Sequence, residues 1–142
     1  MTTTVRPSYN QKDALLIKTT AFPTAAGTIL SEAFDLNCIG DRGVRIDPFE
    51  LLIVAPAATA QQLPNGTSNT FSLQFSHTPD FATFTEWAAG NDWRQSGSAN
   101  GAEEFERRYR VPTDAPRYAR VRCVVAGTAQ QTGKPFEFAI VT

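Results

Sequence analysis

Alternation between apolar and polar side chains across residues 103–127 constrains the fold of this chain more than any other feature of its sequence. The stretch contains two extended segments, 103–111 and 117–126, on either side of a proline-rich turn. In each segment, side chains of one parity are mostly apolar and those of the other are mostly polar or charged, which is typical of a β-strand with one buried face. Because proline cannot donate a hydrogen bond inside a central ladder, Pro112 and Pro116 fix the turn, which follows the first strand and precedes the second.

Six further segments have the length and patterning of strands: 14–17, 28–38, 49–55, 67–76, 81–87 and 136–142. Residues 81–87 fit either a strand or one helical turn, and residues 49–55 are apolar at both parities, which predicts a central strand with packing on each face. Short strands without a long amphipathic helix predict an all-β fold, a single-domain antiparallel β-sandwich of about eight strands that is jelly-roll-like or immunoglobulin-like. We place this domain at residues 14–142 and expect residues 1–13 to form a polar N-terminal arm.

The composition argues against several classes of function. The chain has 142 residues, enough for one domain with a sizeable core, and its formal net charge of -1 provides no basic field for direct binding of nucleic acid. Two cysteines, Cys38 and Cys123, are too few for a disulfide framework, so we expect buried thiols, with a disulfide between them left open. The longest apolar run, 51–58, is too short to cross a bilayer, and residues 1–11 lack the apolar core of a secretory leader, so we expect no membrane partner.

No pattern in the sequence supports catalysis. His77 is the only histidine, whereas an imidazole-based triad or zinc site needs that side chain together with specific partners. The aspartates lack the spacing of a calcium loop, and Glu103 and Glu104 would point to opposite faces of a strand, so they would not share a substrate. Phosphate-loop, dinucleotide-binding and nucleophile-elbow motifs are absent as well. We therefore predict a non-enzymatic protein with no catalytic residue, no metal and no cofactor.

Arginine supplies most of the positive charge, ten of the thirteen basic residues, and arginine is enriched at protein interfaces. Arg108, Arg110, Arg120 and Arg122 lie at the polar positions of the two strands in residues 103–127, and they would form one basic stripe if these strands were neighbours. Three explanations stay open. The stripe is a solvated face paired with glutamates, a contact surface for an acidic protein, or, against the net charge, a surface for nucleic acid.

Trp93 lies in the polar segment 91–101, which the composition predicts to be an exposed loop. We expect this tryptophan to be exposed, or buried only in an oligomer, where it would anchor a protein partner or stack on a sugar. The candidate protein-contact residues are Arg6, Tyr9, Trp93, Arg108, Arg110, Arg120 and Arg122.

Three stretches, in this order along the chain, carry a family resemblance: 50–56 (ELLIVAP), 71–76 (FSLQFS) followed by an acidic turn and Phe81, and 109–112 (YRVP) leading to 116–122 (PRYARVR). This order resembles that of the small β-rich cement or decoration proteins on the capsids of tailed bacteriophages. The resemblance implies a jelly-roll-like domain that forms a homodimer or homotrimer, binds the major capsid protein and stabilises the shell against the packaged DNA. It also implies a location on the capsid exterior of the virion, after synthesis in the bacterial host cytoplasm.

The alternative is a carbohydrate-binding or adhesive β-sandwich module of a virion or cell-surface protein. Such a module would act through Trp93 and its loop, would be stable as a monomer, and would lose binding on Trp93→Ala. A cement protein would instead self-associate, contact the capsid through the arm and the arginine-bearing strands, and lose capsid binding when residues 1–12 are deleted.

Overall fold

Two antiparallel β-sheets packed face to face form the protein in a computed structural model, which describes residues 12–36, 50–112 and 114–141. The strands in chain order are β1 (Lys12–Ala21), β2 (Gly27–Leu30), β3 (Phe34–Asp35), β4 (Glu50–Ala55), β5 (Ser68–Ser76), β6 (Thr85–Trp87), β7 (Arg94–Ser96), β8 (Phe105–Arg110), β9 (Tyr118–Ala126) and β10 (Pro135–Val141). Over these ranges there is no α-helix, and no helix long and apolar enough to cross a membrane is found. The predicted all-β antiparallel sandwich is confirmed.

The strand order within the two sheets is that of a jelly roll. The first sheet has the order β1-β10-β4-β8, and the second has the order β2-β9-β5-β6. Two short strands continue the edges of the second sheet, since β3 pairs with β9 in line with β2, and β7 pairs with β5 in line with β6. Most of the connections between consecutive strands therefore join one sheet to the other. The sandwich has eight principal strand positions and Greek-key connections.

The two strands of the alternating stretch 103–127 are not a hairpin. β8 is the last strand of the first sheet beside β4, whereas β9 lies within the second sheet between β2 and β5. Both strands bury one face in the same core from opposite sides, so their sequence patterns match those of two strands in one sheet. The chain crosses the sandwich between them.

Aromatic side chains join the two sheets in the core. The ring of Phe71 on β5 stacks on Phe105 of β8 with 5.1 Å between centroids, and it meets Phe136 of β10 edge-on at 5.3 Å. These three side chains are at most 5% exposed, and burying a side chain of this size stabilises a fold by about 1.5–3 kcal/mol. Because Phe71 belongs to the second sheet and the other two belong to the first, their contacts hold the sheets together.

β4 lies between β10 and β8, which confirms the central strand predicted from its apolar residues at both parities. Leu51 and Ile53 face the main core. Leu52 lies on the opposite face and packs with Ala139 and Val141 in a second, smaller cluster, where each side chain is at most 2% exposed. Buried apolar side chains therefore lie on both faces of this strand.

Other strand boundaries differ from the prediction. β1 ends at Ala21, beyond the predicted end, because its pairing with β10 continues to that residue. The predicted strand 28–38 is interrupted at Ser31, whose N–H donates to the Val121 carbonyl at 2.9 Å and whose Oγ accepts from the Val121 N–H at 2.8 Å. These two bonds accommodate one extra residue between β2 and β3, as in a β-bulge. The segment 91–101 contains β7 rather than being a loop throughout.

Candidate functional site

The predicted basic stripe is divided between the two sheets. Arg108 and Arg110 lie on β8 in the first sheet, and Arg120 and Arg122 lie on β9 in the second. Their side chains point away from the core, so the two pairs face opposite sides of the sandwich. The stripe required β8 and β9 to be neighbours, and the crossing between the sheets makes that interpretation wrong.

The arginines of the first sheet have acidic neighbours. Arg108 Nη2 lies 3.1 Å from Glu106 Oε1, and its Nη1 lies 3.6 Å from Glu50 Oε1. Arg110 is exposed and stands directly opposite Glu50 in the ladder. This surface fits the open explanation of a solvated face paired with glutamates, and exposed pairs of this kind contribute little to stability.

Trp93 is buried, and the expectation of an exposed tryptophan is wrong. It ends the 3₁₀ turn Gly90–Trp93, is 4% exposed, and packs edge-on against Trp87 with 4.8 Å between ring centroids. Trp87 in turn lies 4.6 Å from the ring of Tyr109 on β8. The polar loop composition indicated exposure, but the two tryptophans link the β6–β7 edge of the second sheet to β8 of the first, and this tertiary burial outweighs local composition.

Arg6 and Tyr9, the candidate contact residues of the arm, lie outside the described residues. β1 begins at Lys12, close to the boundary predicted between arm and domain. The arm and its two contact residues stay predictions.

The outer face of the second sheet brings together polar side chains that are distant in the sequence. Gln74 on β5 stands opposite Arg120 of β9 on one side and Glu86 of β6 on the other. Further along β9, Arg122 stands opposite Leu30 of β2. We define the Arg120 face as the following side chains of this surface: Leu30, Ser72, Gln74, Phe84, Glu86, Arg120 and Arg122.

A continuous network of polar contacts crosses the Arg120 face. Arg120 Nε donates to Gln74 Oε1 at 2.8 Å, and Gln74 Nε2 donates to Glu86 Oε2 at 3.2 Å. Glu86 Oε2 also accepts from Ser72 Oγ at 2.9 Å, while Glu86 Oε1 lies 3.5 Å from Arg122 Nη1. Gln74 and Ser72 point outward as predicted, yet they are at most 5% exposed, because longer charged side chains extend over them. The network therefore fixes the positions of both arginines.

The guanidinium of Arg120 lies against two aromatic rings. Its Cζ atom is 4.1 Å from the ring centroid of Phe81 and 5.9 Å from that of Phe84, within the range of cation–π attraction. Burial lowers the pKa of Arg120, although an arginine remains protonated throughout the physiological range. The side chain is thus a fixed cation held on an aromatic support.

Phe81 has a backbone conformation that a bulky side chain rarely adopts. Its φ is 54°, in the left-handed region, and the residue is 5% exposed. The loop before it supplies the restraint: Phe81 N–H donates to the Thr78 carbonyl at 3.2 Å, and Ala82 N–H donates to Asp80 Oδ1 at 3.1 Å. The Ala82 bond, followed by one to Thr78, lowers the pKa of Asp80. Strained residues cluster at functional sites, and here the strained residue supports Arg120.

Apolar surface is concentrated on the same face. Among the residues that the structure describes, the large hydrophobic side chains that stay exposed are Leu30, at 41%, and Phe84, at 48%. Leu30 lies beside Arg122 and Phe84 beside Arg120. Each arginine of this face therefore has an exposed apolar neighbour.

Sequence reasoning predicted Arg120 and Arg122 as contact residues but missed Gln74 and Glu86. A signal for Gln74 was present, since it occupies the outward parity of a clean strand. The pattern of one strand does not reveal which strands lie beside it, so the neighbours of Gln74 could not be named.

The remaining candidate chemistry is sparse. Within the described ranges, no group of three His, Cys, Asp or Glu side chains is placed to hold a metal ion. Cys123 is a free thiol in the core, and burial raises its pKa to about 12, which keeps it in the unreactive protonated form. Cys38 lies outside the described residues.

Comparison with known proteins finds distant structural likenesses. No model of a known protein family matches the chain, and no curated protein sequence does. A chain of the cowpea mosaic virus empty virus-like particle is 10% identical with a TM-score of 0.43, over 98% of this chain and 82% of that one. The xylan-binding module CBM15 is 12% identical with a TM-score of 0.38, over 93% of this chain and 94% of that one.

A third structure contains the CBM22-1 and GH10 modules of Clostridium thermocellum xylanase 10B complexed with xylohexaose. It is 11% identical with a TM-score of 0.39, over 92% of this chain and 25% of that one. Likenesses at these identities and TM-scores do not assign a function to this chain.

Proposed function

We propose that the chain is a non-enzymatic structural protein that binds another protein through the Arg120 face, as a cement or decoration protein on the exterior of a tailed-phage capsid. One observation supports this most. Leu30 and Phe84, the exposed large hydrophobic residues of the described ranges, lie beside Arg120 and Arg122 on one face of one sheet. Arginine and aromatic side chains gathered around apolar surface are typical of protein interfaces.

The same face is less suited to a carbohydrate. Sugar hydroxyls are recognised by polar groups that are free to form hydrogen bonds. Gln74 and Ser72 are buried and already bonded to Arg120 and Glu86. Within the described ranges, the donors that Arg120 leaves unused are its terminal N–H groups, whose planar fork suits a carboxylate better than a single sugar hydroxyl. Trp93, the residue expected to stack on a sugar, is buried against Trp87. A protein partner therefore fits the geometry better.

Repetition on a lattice would strengthen a small contact. In the proposed role the chain is a dimer or trimer, and each copy contacts the major capsid protein. Several weak contacts made together give an avidity that exceeds the affinity of any single contact. The arm, through Arg6 and Tyr9, would add a second point of attachment for each copy.

Co-sedimentation with purified heads of the phage that encodes the chain, stripped of bound accessory proteins, tests this proposal. We expect the parent protein to sediment with the heads and the double variant Leu30→Ser, Phe84→Ser to remain largely in the supernatant, because exposed apolar contact area is removed. The matched control is Arg110→Ser on the outer face of the other sheet, which should sediment like the parent. Equal sedimentation of the double variant and the parent would contradict the assigned face.

Light scattering across a dilution series measures the accompanying self-association. We expect the mass of a dimer or trimer that persists on dilution. If the protein is a strict monomer that does not bind phage heads but binds xylohexaose, the proposal is overturned in favour of a carbohydrate-binding module.

A further inference from the structure

We propose that Arg120 is a preformed receptor for a side-chain carboxylate, and that the partner of the Arg120 face presents an Asp or Glu next to an apolar residue. This inference rests on the proposed protein-binding function and names the chemistry of the partner.

Arg120 is restrained on two sides. Its Nε donates to Gln74 Oε1 at 2.8 Å, which fixes the plane of the guanidinium, and the rings of Phe81 and Phe84 lie 4.1 and 5.9 Å from its Cζ. Gln74 is itself held by Glu86. An arginine normally loses much rotamer freedom when it binds, but here that loss has already occurred on folding.

The terminal nitrogen atoms of Arg120 are not used within the described part of the chain. Its hydrogen bonding there is limited to Nε, and no carboxylate of those residues lies within 4 Å, whereas Arg117 and Arg122 each have one. A guanidinium presents its terminal N–H groups as a planar fork that matches the two oxygens of a carboxylate. The terminal N–H groups of Arg120 are therefore available to an acceptor on another molecule.

The surroundings indicate which acceptor fits. Phe84 is 48% exposed beside Arg120, so a carboxylate on the fork would place its neighbouring residue near an apolar ring. Glu86 lies on the same face and Asp80 in the adjoining loop. These two negative charges would repel a run of phosphates more than they repel a single carboxylate on a short side chain. An acidic residue in an apolar context satisfies both conditions.

Solution NMR on the full chain can test the receptor directly. The probe is the peptide acetyl-Leu-Glu-Leu-amide, and its matched control is acetyl-Leu-Gln-Leu-amide. We expect the Arg120 Nε–Hε resonance to shift saturably with the Glu peptide, with an affinity about tenfold or more above that for the Gln peptide, because hydrogen bonds between two charged groups are the stronger kind.

Two variants test whether the peptide binds at Arg120. Arg120→Lys retains the charge but lacks the fork, and we expect it to bind the Glu peptide about tenfold more weakly. Arg94→Lys makes the same exchange at a residue paired with Thr70 elsewhere on the second sheet and should bind like the parent. Amide dispersion reports whether each variant is folded. Equal binding by Arg120→Lys and the parent, or equal shifts with both peptides, would overturn the inference.

The phage-head assay separates this inference from the proposed function. If the parent and Arg120→Lys sediment with heads equally well, the inference fails while the capsid function stands. If the parent selects the Glu peptide through Arg120 but never sediments with heads, the receptor stands and the capsid function fails.

Discussion

At the scale of the residue, three buried amides show how the core accommodates polar groups. Asn69 on β5 donates from Nδ2 to Gln95 Oε1 at 2.9 Å and to Gln131 Oε1 at 2.8 Å, and its Oδ1 accepts from Gln131 Nε2 at 2.7 Å. Gln95 Nε2 donates to the carbonyls of Pro56 and Glu103, both at 2.9 Å. All three amide side chains are at most 4% exposed, and every polar atom of Asn69 has a partner.

Asn69→Leu should therefore be strongly destabilising despite its apolar replacement. The change leaves Gln95 Oε1 and both polar atoms of the Gln131 amide without a partner in the core, and we expect a loss of about 2–4 kcal/mol in the free energy of unfolding. Urea unfolding measures it. Gln130→Ala, an exposed neighbour, is the control and should stay within about 0.5 kcal/mol of the parent. A loss below about 1 kcal/mol for Asn69→Leu would mean that the network contributes little.

Cys123 gives a residue-scale prediction about pH. Burial raises its pKa from 9.0 to about 12, so between these values the unfolded chain has released the thiol proton while the folded chain retains it. Stability from this residue is present below pH 9 and falls by about 1.4 kcal/mol per pH unit above it. Urea unfolding of the parent and Cys123→Ala between pH 8.5 and 10.5 should show the steeper decline in the parent. Parallel pH profiles would rule out this contribution.

At the scale of the element, Trp87 and Trp93 connect the β6–β7 edge of the second sheet to Tyr109 on β8 of the first. Trp93→Ala removes a ring that is 4% exposed, and we expect a loss of about 3–5 kcal/mol. Phe84→Ala removes a ring that is 48% exposed and should cost less than about 1 kcal/mol. Thermal or urea unfolding compares the two variants, and a larger loss for Phe84→Ala would contradict this assignment of structural and surface aromatics.

At the scale of the whole molecule, the last strand is an interior strand. β10 lies between β1 and β4 and contributes Phe136, Phe138 and Ile140 to the core. A chain ending at residue 134 loses the pairing of two neighbours at once, so we expect no cooperative unfolding transition and no dispersed amide spectrum. Adding a synthetic peptide of residues 135–142 should restore part of the signal by strand complementation. A truncated chain that unfolds cooperatively on its own would disprove this account.

The fold was more predictable than the site. The residues of each strand indicate which of its faces is buried, because alternate side chains face opposite sides of a sheet. That local property was sufficient for β5, β9 and β10. It failed for residues 91–101, where a polar segment contains the buried Trp93, since one side chain can fill a gap between elements without changing the composition around it.

Period-two patterning and apolar runs act within one strand, so they were sufficient to predict an antiparallel sandwich with a central β4. Tertiary folding places β8 and β9 in different sheets and brings Arg120 to Gln74, a residue 46 positions away. Pairing depends on how the connections cross the sandwich and on the register between distant strands. Neither quantity is encoded in the pattern of a single strand, so the Arg120 face exists only in the folded molecule.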